Sequence, residues 1–587
     1  MAPASPAHKP RKKRKGDSAI LARPNKGTVY LDPNGNVTKP AFPLVAFLWP
    51  AIGNVSQWLV LPLILMAVGL FRWSTAFWGY SGFQKPPMHG DFEAQRHWLE
   101  ITTNLPITQW YFHDLQWWGL DYPPLTAYHS WLLGKIGNYI EPAWFALHTS
   151  RGLDDPNLKI FMRATALASE YLVYVPAVIF CLRRYARVQE VNTWEFAIAL
   201  VAVLMQPATI LIDHGHFQYN TVMLGFVAAT MYSLIAGRYF WSCVFFVAAL
   251  GFKQMALFYA PAVFAYLLGS CLFPRVNILR FIGIALVTVA SFGLLYAPLI
   301  LGTVNDWYNG LPISNLPEPE LLSKLPISLD KESWYYAVIL EVAQSVHRIF
   351  PFARGLFEDK VANVWCTIHT FHKLHKYPTA DLQFASLVLT GAHIATPCLV
   401  LFFKPRKELL PYAFAATSWA FFLFSYQVHE KNVMLPLLPM TLLLGSSTGL
   451  SPYVRAWVGL ANMLGAWTMY PLLKRDELSV PYFVLTLLWA YLLGLPPTSL
   501  SIFRSNVPSQ QLNALEKLIH AGFYAAMIFW HFLDAFVPTP GDKPDLWVVA
   551  NVLVGAPGFY ICWLWCLYNL IDVFKRIWKI ERSKKMQ

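Results

Sequence analysis

Charged residues are scarce in this chain. Of its 587 residues only 13% are Asp, Glu, Lys or Arg, whereas 56% are hydrophobic. A soluble chain of this length would form several domains, with its apolar residues in periodic stripes. Here they form unbroken runs instead, and residues 281–300 and 383–403 contain no charged side chain. Because a run of about 20 apolar residues spans the core of a bilayer, the sequence predicts an all-α polytopic membrane protein.

Signatures of several other protein classes are missing. The seven cysteines are an odd number, form no CxxC pair and lie in or beside apolar segments. This pattern argues against a disulfide framework and against a cysteine-based zinc site. The sequence also has no Walker loop and no GxGxxG stretch after a strand. If the protein is an enzyme, a donor carried on a lipid fits better than a nucleotide bound by a soluble domain.

The net charge of +13 is concentrated at the two ends of the chain. Six basic residues lie within 9–15, and six face a single acidic residue within 575–587. Basic runs can bind nucleic acid, but beside membrane spans they mark the cytosolic side. We therefore expect both termini in the cytosol and no nucleic-acid partner.

Counting spans inward from two cytosolic ends predicts about 14 transmembrane helices and two long lumenal loops. The mixed-charge loop KRDE (474–477) falls on the lumenal side and is the one weak point of this count. The predicted division is a cytosolic tail with an interfacial segment (1–57), transmembrane helices that carry a lumenal loop at 79–165 (58–302), a second lumenal loop with re-entrant segments (303–382), further transmembrane helices (383–572) and a cytosolic tail ending in KKMQ (573–587).

The first lumenal loop contains the ionisable stretch MHGDFEAQRHWLE. In a helix that begins at Asp91, Glu93 reaches His97 and Arg96 reaches Glu100, each four residues further on. Asp91 then has no basic neighbour on its own helix face, so it is a candidate general base. The alternative is a helix N-cap, a position that Asp often takes.

Other candidates lie elsewhere on the predicted lumenal side. Asp121 and Tyr122 precede a Pro-Pro pair in an aromatic stretch, which is typical either of a sugar-binding floor or of an interfacial aromatic belt. Histidine, arginine and lysine on one side of the membrane suit a phosphate or pyrophosphate. A metal bound by His214 and His216 is the competing interpretation, but an HxH pair alone is a weak signal. The polar residues of this group are Arg348, Arg354, Glu358, Asp359 and Lys360 in one stretch, with His214, His216, His429, Glu430 and Lys431 elsewhere on the same side.

Six stretches occur in a familiar order: HGDFEAQRHW, LDYPPLTAYH, LIDHGHFQYN, GFKQMAL, RIFPFARGLFEDKVANVWC and FSYQVHEKNV. Together they resemble the dolichyl-phosphate-glucose-dependent α-1,3-glucosyltransferases of the endoplasmic reticulum, which are multi-span enzymes of the GT-C superfamily. Two activities exist in that family, and the first two stretches resemble the enzymes that add the first glucose. The resemblance implies transfer of glucose from dolichyl phosphate glucose to the nine-mannose oligosaccharide on dolichyl pyrophosphate. It also implies a multi-pass protein of the endoplasmic reticulum membrane with a lumenal active site, and KKMQ resembles a dilysine retrieval signal.

The resemblance also implies roles for individual residues. The donor is β-linked and the product α-linked, so the reaction inverts and needs one base, and Asp91 matches the family's catalytic aspartate. The leaving phosphate needs cationic donors, with His429 the first choice and Arg354 and Lys431 behind it. The weaker substrate-binding candidates are Asp121, Tyr122, His214, His216, Gln218 and Glu358. No metal or other cofactor is expected, and we expect a monomer that meets two dolichol-linked substrates and membrane lipid.

Two alternatives stay open. The first is the second-glucose enzyme of the same family, which takes a monoglucosylated acceptor. The second is a lipid or sugar transporter, which would show internal repeats and helices broken at matched positions. No repeat is visible in the sequence, and the polar residues gather towards one face, which favours the enzyme.

Overall fold

The computed structural model describes residues 41–48, 57–311, 322, 330–350, 360–504 and 507–586. Within these ranges the chain is helical and contains no β-strand. The helices of the N-terminal half are α1 (Pro43–Leu48), α2 (Gln57–Thr75), α3 (Asp91–Asn104), α4 (Pro124–Ile140), α5 (Pro156–Ser169), α6 (Val175–Val188), α7 (Thr193–Leu204), α8 (Pro207–Ile210), α9 (Asn220–Ala236), α10 (Tyr239–Phe252), α11 (Ala260–Leu272) and α12 (Ile278–Tyr308). Those of the C-terminal half are α13 (Trp334–Ile349), α14 (Val364–Phe371), α15 (Thr379–Phe403), α16 (Leu410–Phe424), α17 (Met434–Leu442), α18 (Pro452–Thr468), α19 (Tyr470–Arg475), α20 (Ser479–Leu493), α21 (Ala514–Phe536) and α22 (Leu546–Met586).

Among the described residues, six helical stretches are long and apolar enough to cross a bilayer, judged by length and composition. They are Pro156–Val188, Gln254–Leu272, Ile278–Tyr308, Thr379–Phe403, Pro508–Phe536 and Leu546–Ser583. A seventh would be the bent pair Thr193–Leu204 and Pro207–Phe217, whose axes differ by 41°. The prediction of an all-α polytopic membrane protein is thus confirmed, whereas the count of about 14 spans stays a prediction.

The bundle has an inner core and helices that face outward. Helix α16 is buried almost all round and packs against α15, α17 and α22. Helix α12 is equally apolar, yet Leu279 is 83% exposed and Leu294 is 77% exposed. An apolar helix with its side chains uncovered is suited to contact lipid. Most of the polar and charged side chains considered below are buried between the inner helices.

The two segments predicted as lumenal loops contain folded structure. The first holds α3 and α4, which pack against each other, and the 3₁₀ helix Pro142–Phe145. The second holds α13 and α14, the latter only eight residues long. The side of the membrane on which they lie and the predicted division of the chain stay predictions.

Two π-helical segments lie next to the polar residues, at Glu170–Tyr174 and Leu211–Phe217. A π turn takes in an extra residue and occurs frequently at functional sites. The second segment ends at Phe217, whose φ of 86° is left-handed and uncommon outside glycine. The polar side chains of this segment therefore leave the backbone in directions that a regular α-helix does not provide.

Candidate active site

Asp91 is the first residue of α3, and the chain reaches it through Gly90. Gly90 has a φ of 108°, and a Cβ there would lie 2.9 Å from Ser81 Oγ, so this close approach requires glycine. The backbone N–H of Asp91 donates to Ser81 Oγ at 3.2 Å. The helix start has no side-chain cap. The N-cap alternative for Asp91 is therefore wrong, and its carboxylate is directed elsewhere.

Three side chains from distant parts of the chain donate to Asp91 Oδ2. His216 Nε2 lies at 2.9 Å, Gln218 Nε2 at 2.5 Å and Lys431 Nζ at 2.5 Å. Within the described part of the chain, no side chain donates to Asp91 Oδ1. The structure thus brings four of the predicted site residues together on one carboxylate, with one oxygen still available.

The surroundings of Asp91 keep it ionised. Burial alone would raise the pKa of Asp91, but the charge of Lys431 and the hydrogen bond from His216 outweigh it and hold this pKa well below its usual value. A carboxylate with so low a pKa is a stable anion and a weak base. The basicity of Asp91 therefore depends on whether the Lys431 ammonium stays bonded to it.

His216 is held from its other side by Asp476, whose Oδ2 lies 2.5 Å from Nδ1. Both carboxylates are acceptors only, so both ring nitrogens of His216 donate and the ring is an imidazolium in this arrangement. Asp476 belongs to the KRDE loop, which looked like an exception to the charge bias of the predicted topology. Its role beside His216 is structural support for the site, and sequence analysis missed it.

A buried lysine behind Gln218 was also missed. Lys253 Nζ donates to Gln218 Oε1 at 3.0 Å and to Asn220 Oδ1 at 2.5 Å, and it lies 4.8 Å from the ring centroid of Tyr122. Because Gln218 accepts with its oxygen, its amide nitrogen is the end that faces Asp91. The only available signal was that Lys253 is a single charge between two apolar segments, within the GFKQMAL stretch.

The structure does not bring His214 to the carboxylate of Asp91. His214 Nε2 lies 2.5 Å from Glu170 Oε2, and Glu170 also accepts two hydrogen bonds from Arg72, at 2.7 and 2.8 Å. Arg163 donates to the backbone carbonyl of His214. This buried network joins α2, α5 and both π segments, and a direct substrate contact for His214 stays a prediction.

The other charged residues of α3 pair with each other. Arg96 donates to Glu93 at 2.6 and 2.8 Å, to Glu100 at 2.8 Å and to Ser150 Oγ at 2.6 Å. The predicted Arg96–Glu100 pair is confirmed, but His97 pairs with Glu100 at 3.1 Å and not with Glu93. Burial would raise the pKa of Glu100, yet the hydrogen bond from His97 and the charge of Arg96 hold it at about 2. These pairs fix α3 to the following segment and leave Asp91 apart from them.

Asp91 borders a polar cavity of about 360 Å³. His429 and Lys431 lie in its wall, at the start of the 3₁₀ helix Glu430–Val433. The basic side chains in the wall are Lys85, His216, His429, Lys431 and Arg475. Basic groups on several sides of a small cavity suit an anion such as phosphate. Lys85 and Arg475 were not selected from the sequence.

The remaining candidates lie further away or outside the described residues. Tyr122 packs on Trp98, with ring centroids 4.6 Å apart, and faces Lys253. Asp121 is close enough to Lys253 to interact with its charge. Neither Asp121 nor Tyr122 is part of the cavity wall. Arg354 and Glu358 lie outside the described residues.

Comparison with known proteins adds independent findings. The model of the "ALG6, ALG8 glycosyltransferase family" matches residues 57–310 and 332–568. A relative from Schizosaccharomyces pombe, named "Probable dolichyl pyrophosphate Man9GlcNAc2 alpha-1,3-glucosyltransferase", is 43% identical over 534 residues, which is 90% of this chain and 95% of the relative. The relative from Saccharomyces cerevisiae, whose name is the same without "Probable", is 42% identical over 553 residues, again 90% of this chain and 95% of the relative. One from Pongo abelii, also so named, is 35% identical over 549 residues, or 89% and 98% of the two chains.

Proposed function

This chain belongs to the ALG6, ALG8 glycosyltransferase family, and from that premise we propose that it adds the first glucose, in α-1,3 linkage, to the nine-mannose oligosaccharide carried on dolichyl pyrophosphate. The printed names of the relatives supply the acceptor and the linkage. We propose dolichyl phosphate glucose as the donor, since the chain has apolar helices to meet a lipid and a cavity whose wall carries five basic side chains, beside the carboxylates of Asp91, Glu430 and Asp476, to meet a phosphate.

The observation that carries this proposal is the Asp91 carboxylate, which borders the polar cavity with Oδ1 available. Inversion at the sugar carbon C1 requires the acceptor hydroxyl to attack from the face opposite the leaving phosphate. In the proposed step Asp91 Oδ1 takes the hydroxyl proton while the hydroxyl oxygen bonds to C1. The bond from C1 to the phosphate oxygen breaks, and its electron pair leaves with dolichyl phosphate.

Lys431 connects the base to the leaving group. Its ammonium is bonded to Asp91 and keeps the pKa of that carboxylate low. A donor phosphate in the cavity would compete for the same ammonium, and His429 lies beside it in the wall. Drawing the charge away raises the pKa of Asp91 and makes it a better base. Donor binding thus activates Asp91, and Lys431 then stabilises the leaving phosphate.

We further propose that the cavity opens to the lumen of the endoplasmic reticulum and that about 14 spans leave both termini in the cytosol. The basic ends of the chain support this orientation. The cavity wall fits it as well, since its charged residues come from segments that the span count places on one side, including the KRDE loop that the charge bias alone would not place there. Catalysis needs no metal at the reacting atoms in this mechanism, because cationic side chains neutralise a single phosphate, and we propose that a monomer suffices.

The choice of acceptor tests the proposal. Purified full-length protein is given dolichyl phosphate glucose with either the nine-mannose or the monoglucosylated lipid-linked acceptor, and the product glycans are separated by mass. We expect one glucose on the nine-mannose acceptor and none on the other. The reverse preference would make the chain the second-glucose enzyme, and transfer to neither acceptor would overturn the enzyme assignment.

A further inference from the structure

Three histidines and an aspartate converge around the middle of α3, and none of them lines the Asp91 cavity. Ligand atoms of His113, Asp114 and His148 lie within 4.8 Å of one another. His97 Nε2 lies 3.4 Å from Asp114 Oδ2. We propose that these four side chains form a binding site for a divalent transition metal such as Zn²⁺.

The distances suit such an ion. Bonds of about 2.0–2.1 Å in a tetrahedral Zn²⁺ site place neighbouring ligand atoms about 3.3 Å apart. The separation of His97 Nε2 and Asp114 Oδ2 already has this value within 0.1 Å. The ligand atoms of His113, Asp114 and His148 lie within 4.8 Å of one another, so side-chain rotations would have to shorten these separations when the ion binds. Imidazole with one carboxylate is a ligand set that Zn²⁺ commonly takes.

His97 is an independent observation that points to a cation. Its side chain is fully buried, and its Nδ1 lies 3.1 Å from Glu100 Oε2, to which it must donate. Nε2 lies on the other side of the ring and makes no hydrogen bond with any described residue. It faces a carboxylate oxygen of Asp114 at 3.4 Å, so a metal ion between these two atoms would contact both. A metal-bound histidine is usually held in this way, with one nitrogen on a carboxylate and the other on the metal.

His113 and His148 show related features. His113 Nε2 is a second buried ring nitrogen that has no hydrogen-bond partner in the described part of the chain. The backbone N–H of His148 donates to Glu100 Oε1 at 2.7 Å. Glu100 therefore forms hydrogen bonds with two of the four proposed ligand residues, His97 and His148.

Arg151 is the competing cation. Its guanidinium pairs with Asp114 and lies 3.4 Å from His148 Nδ1. The side chain is 33% exposed and can turn outward, towards solvent. A metal and Arg151 cannot share Asp114 at close range, because like charges repel. Removing the positive charge of Arg151 should therefore tighten metal binding.

The site would join three segments of the first predicted lumenal loop: α3, the turn at 113–114 and the turn at 148. A metal bound there would hold these three segments together and take no part in the bond-forming step proposed above. Its test is metal binding, which can succeed or fail independently of glucose transfer.

The experiment is a Zn²⁺ titration of full-length protein in detergent, purified without a histidine tag and stripped with a chelator. A chromophoric chelator reports the affinity by competition, and the absorption of bound Co²⁺ reports the geometry. The main variant is His113→Ala with His148→Ala, which changes one half-buried and one exposed side chain, and its thermal midpoint is measured beside wild type to verify the fold. His97→Gln is a second, buried variant. His375→Ala is the matched control, because His375 is exposed in a separate histidine-rich segment beside His369.

We expect one tightly bound Zn²⁺ per chain and a tetrahedral Co²⁺ spectrum. Affinity should fall at least about tenfold in the double variant and in His97→Gln, because even loss of an outer partner costs that much. It should be unchanged in His375→Ala and higher in Arg151→Gln. The proposal is overturned if wild type binds no tighter than the double variant, if His375→Ala abolishes binding, or if Arg151→Gln weakens it.

Discussion

Replacing Asp91 by Asn removes the proposed base while preserving its shape. With the amide oxygen in the place of Oδ2, the contacts from His216, Gln218 and Lys431 can persist. The amide NH₂ then occupies the place of Oδ1, where it can donate a hydrogen bond but cannot accept a proton. His216 also keeps Asp476 as a partner, so we expect the fold to survive.

The expected loss of activity in Asp91→Asn follows from the loss of general-base catalysis. General-base catalysis typically contributes about 10²–10⁴-fold, which corresponds to about 2.7–5.4 kcal/mol of the activation barrier at 1.36 kcal/mol per factor of ten. We expect kcat for Asp91→Asn to fall within that range, with a much smaller change in KM for the donor, because the phosphate-binding side chains remain. Initial rates of glucose transfer at saturating donor and acceptor measure this.

The control variant is Asp381→Asn, which changes an exposed carboxylate in the first turn of α15, outside the cavity. It should match wild type in rate and in thermal midpoint. If Asp91→Asn keeps its thermal midpoint and still turns over at close to the wild-type rate, Asp91 is not the base. Another carboxylate on the predicted lumenal side, such as Asp121 or Glu358, would then have to take the proton.

Two further predictions concern charge. Lys431→Gln removes the cation that depresses the pKa of Asp91, so the acid limb of kcat/KM should move to higher pH; an unmoved limb would show that Lys431 does not control the base. Glu100 has a folded pKa of about 2 against an ordinary 4.5, so it contributes stability that is present above the ordinary value and lost as pH falls towards 2. Glu100→Gln should therefore lower the thermal midpoint at neutral pH, since breaking a buried pair costs about 3–5 kcal/mol, and the gap to wild type should narrow on acidification; a constant gap would contradict the linkage.

Local patterns predicted one of the two expected contacts within α3, Arg96 with Glu100, but not the pairing of His97 with Glu100. Arg96 and Glu100 are four residues apart, so helical periodicity alone places them together. Asp91 is different, because its partners His216 and Lys431 are 125 and 340 residues away. These residues were candidates because of their residue type and their predicted side of the membrane. No spacing in the sequence predicts that they contact the same oxygen of Asp91.

The supporting residues were harder to find for the same reason. Lys253 and Asp476 each look like a charge in a short loop between apolar segments, and their functions appear only when the helices are packed. The apolar spans, in contrast, follow from composition, because a bilayer admits few other structures. The His97 cluster was not predicted either, since its four ligands come from three separate segments of one loop.

The π-helical segment Leu211–Phe217 makes the site sensitive to register. His214 and His216 lie only two residues apart, yet one joins the Arg72–Glu170 pair and the other reaches Asp91. Losing one residue from this segment would restore a regular helix and turn the following side chains by about 100°. Gln218 and His216 would then leave Asp91 together, although every residue of the site would still be present in the sequence. A point substitution in this stretch removes at most one donor, whereas a single-codon deletion would remove two of the three donors to the proposed base and leave Lys431 alone on it.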